Sequence, residues 1–201
     1  MYDVRQVANE FIRRGLDEGR ALTPMHVQKL VFFAHARLLA FHKAPLIRET
    51  FEAWEHGPVV RALYDELRSY GQQGVTETIS LSAEEQAPIH DHGTIDWCYQ
   101  NYGRVNALTL SDLTHSPDGP WARTDRNAII SNDKIRGYYA EPWIAEEREL
   151  VEKVSKHPAI VADYLQSLDD FKNGRYHTAS SPEEMLKQIR QRQEERDAEG
   201  S

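Results

Sequence analysis

A single cysteine, Cys98, stands among 201 residues, so no intramolecular disulfide framework exists and no cysteine-rich zinc module can be assembled. Between Trp97 and Tyr99 it reads as a small buried hydrophobe. Long apolar runs are missing as well. The longest block is interrupted by His35 and Arg37, too short and too polar to span a bilayer. Residues 1–20 carry charges throughout and hold no continuous apolar stretch of the kind a secretory leader needs, so the expected location is the cytoplasm. Positive charge is scarce: 24 Lys and Arg face 32 Asp and Glu, a net charge of -8. An acidic surface repels phosphate backbones, which disfavours non-specific nucleic-acid binding. The sequence has no GxGxxG, P-loop, HEXXH or CXXC pattern, no Ser or Cys in a nucleophile-elbow context, and no internal repeat.

What is present is ordinary globular composition, 40% hydrophobic and 28% charged, in a length that suits one domain with an appendage. The charge is uneven. Residues 1–45 hold seven basic and four acidic side chains, 46–141 eight and fifteen, and 142–201 nine and thirteen. The basic excess at the N-terminus keeps a local DNA contact open.

The pattern predicts a mainly α protein: a compact helical domain with a minor two-stranded β element and a C-terminal helical extension. Asp3-Val4-Arg5-Gln6 has the form of a capping box. Thr23-Pro24 opens a second helix, with Thr as N-cap and Pro in the first turn. That helix is apolar on most faces, the mark of a central element. Phe51-Glu52-Ala53-Trp54 alternates and reads as extended, with residues 76–81 (TETISL) as its pairing partner. Gly57-Pro58 ends the strand, and Pro58 is placed to start a helix whose buried face is Val60, Leu63, Tyr64 and Leu67. Ser82 caps a short acidic helix. Residues 94–103 and 109–115 form two more short helices, and 116–121 (SPDGPW) a turn-rich loop. Ser131-Asn132-Asp133 caps the helix KIRGYYAE. The domain boundary is placed at 141/142, with amphipathic helices over 143–156 and 160–171, a helix start at Ser181-Pro182, and a solvated tail.

Two groups of residues raise the question of chemistry. His90-Asp91-His92 has alternating ligand types, and with His115 or Asp118 it would make a metal-dependent hydrolase, provided the fold brings a third and fourth ligand close. Against that, so short a motif more often serves structure or faces solvent. His56, beside Glu55 and Gly57, has the neighbours of a general base, or it packs at the corner between strand and helix.

The order of segments is informative. Leu22-Thr23-Pro24 leads into Gln28-Lys29-Leu30-Val31-Phe32-Phe33-Ala34. Then come Phe51-Glu52-Ala53-Trp54-Glu55-His56-Gly57-Pro58-Val59 with Leu63-Tyr64, and Leu110-Ser111-Asp112-Leu113-Thr114-His115 with Pro120-Trp121. Over residues 1–141 this ordered set resembles the Panacea domain, the family of the SocA and phage-associated GepA proteins. Val31-Phe32-Phe33 stands where that family often has Leu-Leu-Tyr, and His56 where Tyr or Arg is common. The resemblance implies an antitoxin of a toxin–antitoxin system, a protein that binds and neutralises a cognate toxin, takes no cofactor and is not an enzyme. For the SocA branch it further implies a proteolytic adaptor that presents the toxin SocB to the ClpXP protease. A DNA-binding autoregulator is a third reading, since antitoxins often repress their own operon. A protein-binding role needs exposed aromatic and Arg anchors on a rigid scaffold. The residues expected to supply them are Trp54, Glu55, His56, Arg61, Tyr64 and Trp121. The extension at 142–201 is the expected seat of partner-specific function, and its apolar stripes need a cover: the domain, a second copy or the toxin.

Overall fold

The computed structural model describes residues 1–82 and 88–155, with side chains as far as residue 145. Expectations for the acidic helix after Ser82 and for residues 156–201 lie outside these. Contacts divide the chain into two compact units, Met1–Ile144 and Ala145–Ser201, and the hydrophobic core of the described residues belongs to the first.

Helix α1 (Val4–Asp17) begins as its sequence requires. Asp3 accepts a bond from the Arg5 amide, and the Gln6 side chain answers to the Asp3 amide, closing the capping box. Thr23 caps α2 (Pro24–His42), accepting from the His26 amide at 3.3 Å. Fourteen of the 19 residues of α2 are buried, and it packs against α1, the helices Arg61–Leu67, His92–Tyr102 and Ala107–Thr114, and the strand Gly57–Val59. Apolar side chains on nearly all sides leave such a helix no stable place but the centre. Phe32 meets the rings of Phe33, Phe51 and Tyr139 edge-on at 5.2–5.9 Å. His35 is buried with them, bonded to Asn132 Oδ1 at 3.0 Å, and burial pushes its pKa down to about 4.

Strand β1 (Phe51–Trp54) forms as expected, but its partners differ from the expectation. It pairs antiparallel with β2 (Gly57–Val59) on one side and with β3 (Ile129–Ile130) on the other, giving a three-stranded sheet in the order β2-β1-β3. Residues 76–81 form no strand. The Asn9 carboxamide of α1 takes both the Ile79 carbonyl (2.8 Å) and the Ile79 N–H (2.7 Å), so this segment docks on a helix instead of the sheet. Gly57 and Pro58 therefore do not start a helix; they belong to a hairpin. Helix α3 (Arg61–Leu67) starts three residues later than Pro58, with Val60 as N-cap. Its inward face is Val60, Leu63 and Leu67, and Tyr64 lies outside at 41% exposure.

Helices α4 (His92–Tyr102) and α5 (Ala107–Thr114) follow, each within two residues of expectation. Cys98 is buried in α4, where burial pushes its thiol up to about 12. Helix α6 (Asn132–Ser155) runs through Pro142 without a break. Two helices were expected there. Proline removes one N–H and crowds the preceding turn, but Tyr139 and Trp143 stack across it with ring centroids 4.8 Å apart, and Trp97 meets Trp143 at 5.9 Å. No helix among the described residues is long and apolar enough to cross a membrane.

Candidate partner-binding surface

The turn between β1 and β2 consists of Glu55 and His56, since Trp54 and Gly57 already face each other in register. Gly57 has φ 95°, the left-handed residue of a hairpin closed by a turn plus a glycine bulge. A side chain there is also sterically excluded: a Cβ would lie 2.5 Å from both Lys29 Nζ and Thr114 Oγ1. Just before β3, Asn127 has φ 63°. Its N–H bonds the Ala53 carbonyl, and the Ala128 carbonyl accepts from Ala53, the pattern of a bulge with a left-handed first residue.

Side chains from three distant segments hold this hairpin by its backbone. The Gln28 carboxamide takes both backbone groups of Val60, at 3.1 and 3.0 Å. Lys29 Nζ donates to the Pro58 carbonyl at 3.2 Å. Ser111 Oγ donates to the His56 carbonyl at 2.9 Å. Trp121 Nε1 donates to the Trp54 carbonyl at 2.7 Å. Both ring nitrogens of His115 face carbonyl oxygens, that of Ser111 at 2.5 Å and that of Glu55 at 3.2 Å, and its ring packs on Trp121 at 3.9 Å. Lys29 is 1% exposed, and burial alone lowers its pKa to about 7.

On the outward face of the sheet a second set of contacts ties side chain to side chain. Arg61 binds Glu52 through two nitrogens, at 3.1 and 2.7 Å, which holds the Glu52 carboxyl below its ordinary range. Trp54 Nε1 donates to the same carboxylate at 2.9 Å. The Arg61 guanidinium lies 5.0 Å from the Trp54 ring, and Tyr64 meets that ring edge-on at 4.9 Å. Ile129, opposite Glu52 on β3, is 59% exposed. Arg126 pairs with Glu55 at 2.8 Å.

All six residues expected to form the partner surface therefore belong to one neighbourhood: Trp54, Glu55 and His56 on the hairpin, Arg61 and Tyr64 on α3, and Trp121 on the loop before β3. Sequence reasoning missed Gln28, Lys29, Ser111 and Thr114 as supports, and Glu52, Arg126 and Ile129 as neighbours. The first four stand inside the ordered motif, which was the available signal. That the polar atoms of Gln28, Lys29 and Ser111 serve the hairpin backbone, and that Thr114, bonded to the Ser111 carbonyl, lies against Gly57, follows only from the fold.

The other constellation does not come together. Tyr2 Oη accepts from the His90 amide (2.9 Å) and donates to Asp91 Oδ2 (2.8 Å), while His92 Nδ1 lies 4.0 Å from a Glu10 oxygen. His115 is at the hairpin. Among the described residues no group of three or more His, Cys, Asp or Glu side chains is placed to hold a metal. The basic N-terminal excess is largely engaged internally. Arg5 pairs with Asp3, Arg13 with Glu10, Arg14 with Glu10 and Asp96, and Arg20 with Glu18. Arg37 covers the Trp97 ring at 3.8 Å.

A mainly helical domain that clamps a short hairpin and displays its outer face is the class of molecule these contacts define. The model of the family described as "Antitoxin SocA-like, Panacea domain" matches residues 27–122, the span that holds Gln28, Lys29, the hairpin, α5 and Trp121. Antitoxin SocA of Caulobacter vibrioides (strain NA1000 / CB15N) is 29% identical over 131 residues, covering 59% of this chain and 68% of that protein. No solved structure matches. Residues 27–122 are thus similar to the SocA-like Panacea domain, and the chain is similar to antitoxin SocA over 59% of its length.

Proposed function

We propose that this protein is an antitoxin that captures a cognate toxin on the outward face of its sheet, around Trp54, Arg61, Tyr64 and Ile129. The carrying observation is the division of labour among the motif residues. Gln28, Lys29, Ser111, His115 and Trp121 direct their polar atoms at the hairpin backbone, and the aromatic–Arg cluster is left facing outward. Preorganised aromatic and Arg anchors are what protein interfaces use for most of their affinity. Likeness to the SocA-like Panacea domain and to antitoxin SocA supports the same reading, with a toxin as partner and no substrate turned over. The finer version, likeness to SocA carried through, has the protein in the cytoplasm presenting a SocB-like toxin to the ClpXP protease, with residues 142–201 as the partner-specific extension.

The test is titration calorimetry of the purified chain against the protein encoded beside it. Wild type is expected to bind with a defined stoichiometry, and Arg61→Ala with Tyr64→Ala to weaken binding at least tenfold at unchanged thermal stability. Undiminished binding by that double variant refutes this surface. Toxin half-life with purified ClpXP, measured with and without the chain, decides the adaptor role.

A further inference from the structure

Helix α5 has two sides with opposite commitments. Leu110, Ser111 and Thr114 are buried, and Ser111 and its neighbour His115 hold the hairpin. Leu108 and Leu113, by contrast, are 66% and 49% exposed. At about 100° per residue, Leu108, Asp112, Thr109 and Leu113 fall within an arc of roughly 140°, opposite the buried three. Two leucines on one short solvated face is an uncovered apolar stripe, and Asp112 between them makes no ion pair among the described residues. The helix carries no Lys or Arg. It is also fixed: Asn106 caps it at 2.8 Å, and the hairpin bonds anchor its C-terminal end.

We infer that the outward face of α5 is a docking surface for a basic segment of a partner protein, anchored by apolar side chains on Leu108 and Leu113 and by a cation on Asp112. Charge selects this occupant. A second copy of the chain carries net charge -8, and a two-fold contact through this face would offer Asp112 no cation, since α5 holds no Lys or Arg. Residues 142–201 hold thirteen acidic against nine basic side chains and share the sign of residues 46–141. A foreign basic segment is complementary to the carboxylate and covers the leucines. This rests on the protein-binding reading above and extends the contact from the sheet face to the helix that supports it.

The experiment uses the full chain and the protein encoded beside it, titrated at 50 and 300 mM salt. Asp112→Lys is expected to weaken binding about tenfold at low salt and to flatten the salt dependence, because the pair it breaks is screened. Leu108→Ser with Leu113→Ser is expected to weaken binding about tenfold at both salts. Far-UV circular dichroism checks that each variant keeps its helices, and Leu113→Gln alone, expected to lose threefold or more, serves if the double variant does not fold. Wild-type affinity in the α5 variants, together with loss in Arg61→Ala/Tyr64→Ala, overturns this inference and leaves the proposed function standing. Wild type failing to bind removes both. Self-association abolished by the double leucine variant assigns the face to a second copy and overturns the inference as well.

Discussion

Lys29 shows how one residue can oppose the stability of the fold that contains it. Its amine is buried, has the Pro58 carbonyl as acceptor, and is lowered from 10.5 to about 7 by burial alone. A lysine whose folded pKa is depressed binds its proton more tightly in the unfolded chain. Between pH 7 and 10.5 the unfolded state therefore carries the extra proton, and stability rises with pH across that window. Below pH 7 the penalty is fully present. Lys29→Met, similar in length and uncharged, is expected to stabilise the domain by about 2–4 kcal/mol at pH 6, net of the lost bond, with the gain fading by about pH 10.5. Urea denaturation at pH 6, 8 and 10 measures it. A variant less stable at every pH would mean that the amine contributes more than a single hydrogen bond. Either outcome bears on why a lysine occupies this position, directly behind Gly57, where a Cβ would strike its Nζ.

Among elements, the hairpin is the one that local forces alone would not hold. Two strands of four and three residues are marginal in water. What fixes them is the set of side-chain bonds from α2, α5 and the loop at Trp121, together with β3 on the far side. Ser111→Ala removes one such bond and little packing, and Trp121→Phe removes one bond together with part of the ring that packs on His115. Each is expected to cost about 1 kcal/mol of global stability and to raise amide hydrogen exchange at residues 54–59 more than in α1 or α2. Hydrogen exchange read by mass spectrometry separates this local loosening from a uniform loss. Uniform loss would mean that the hairpin is bound to the core as one cooperative unit, and that these bonds do not act as its fasteners.

At the scale of the molecule, every buried core residue among the described residues lies between Val4 and Tyr139. A chain ending at Ile144 retains that whole core. It is expected to keep a cooperative thermal transition and helical circular dichroism, and to bind the toxin at least tenfold more weakly if residues 145–201 carry partner-specific contacts. Full affinity in the truncated chain would make the extension dispensable and place recognition wholly on the Panacea domain.

Much of this protein was legible in its residues. Caps are local, so Asp3 and Thr23 announced α1 and α2 without help from the rest of the chain. Apolar side chains round most of a helix have no place but the interior, so the centrality of α2 was readable too. The ordered motif pointed to the family whose model matches residues 27–122, and the six residues singled out from it come together around the hairpin. Pairing was not legible. Residues 76–81 are β-prone, yet they lost the place beside β1 because Asn9, seventy residues away, meets the Ile79 backbone. Gly57-Pro58 reads along the chain as a strand end and a helix start, and it became a hairpin arm because Gln28, Lys29 and Ser111 satisfy the hairpin's backbone groups. Periodicity and capping act within a few residues and can be read along a chain. Which distant partner satisfies a given buried polar group depends on three-dimensional closure, and that closure decided the hairpin, its supports and the face that it turns outward.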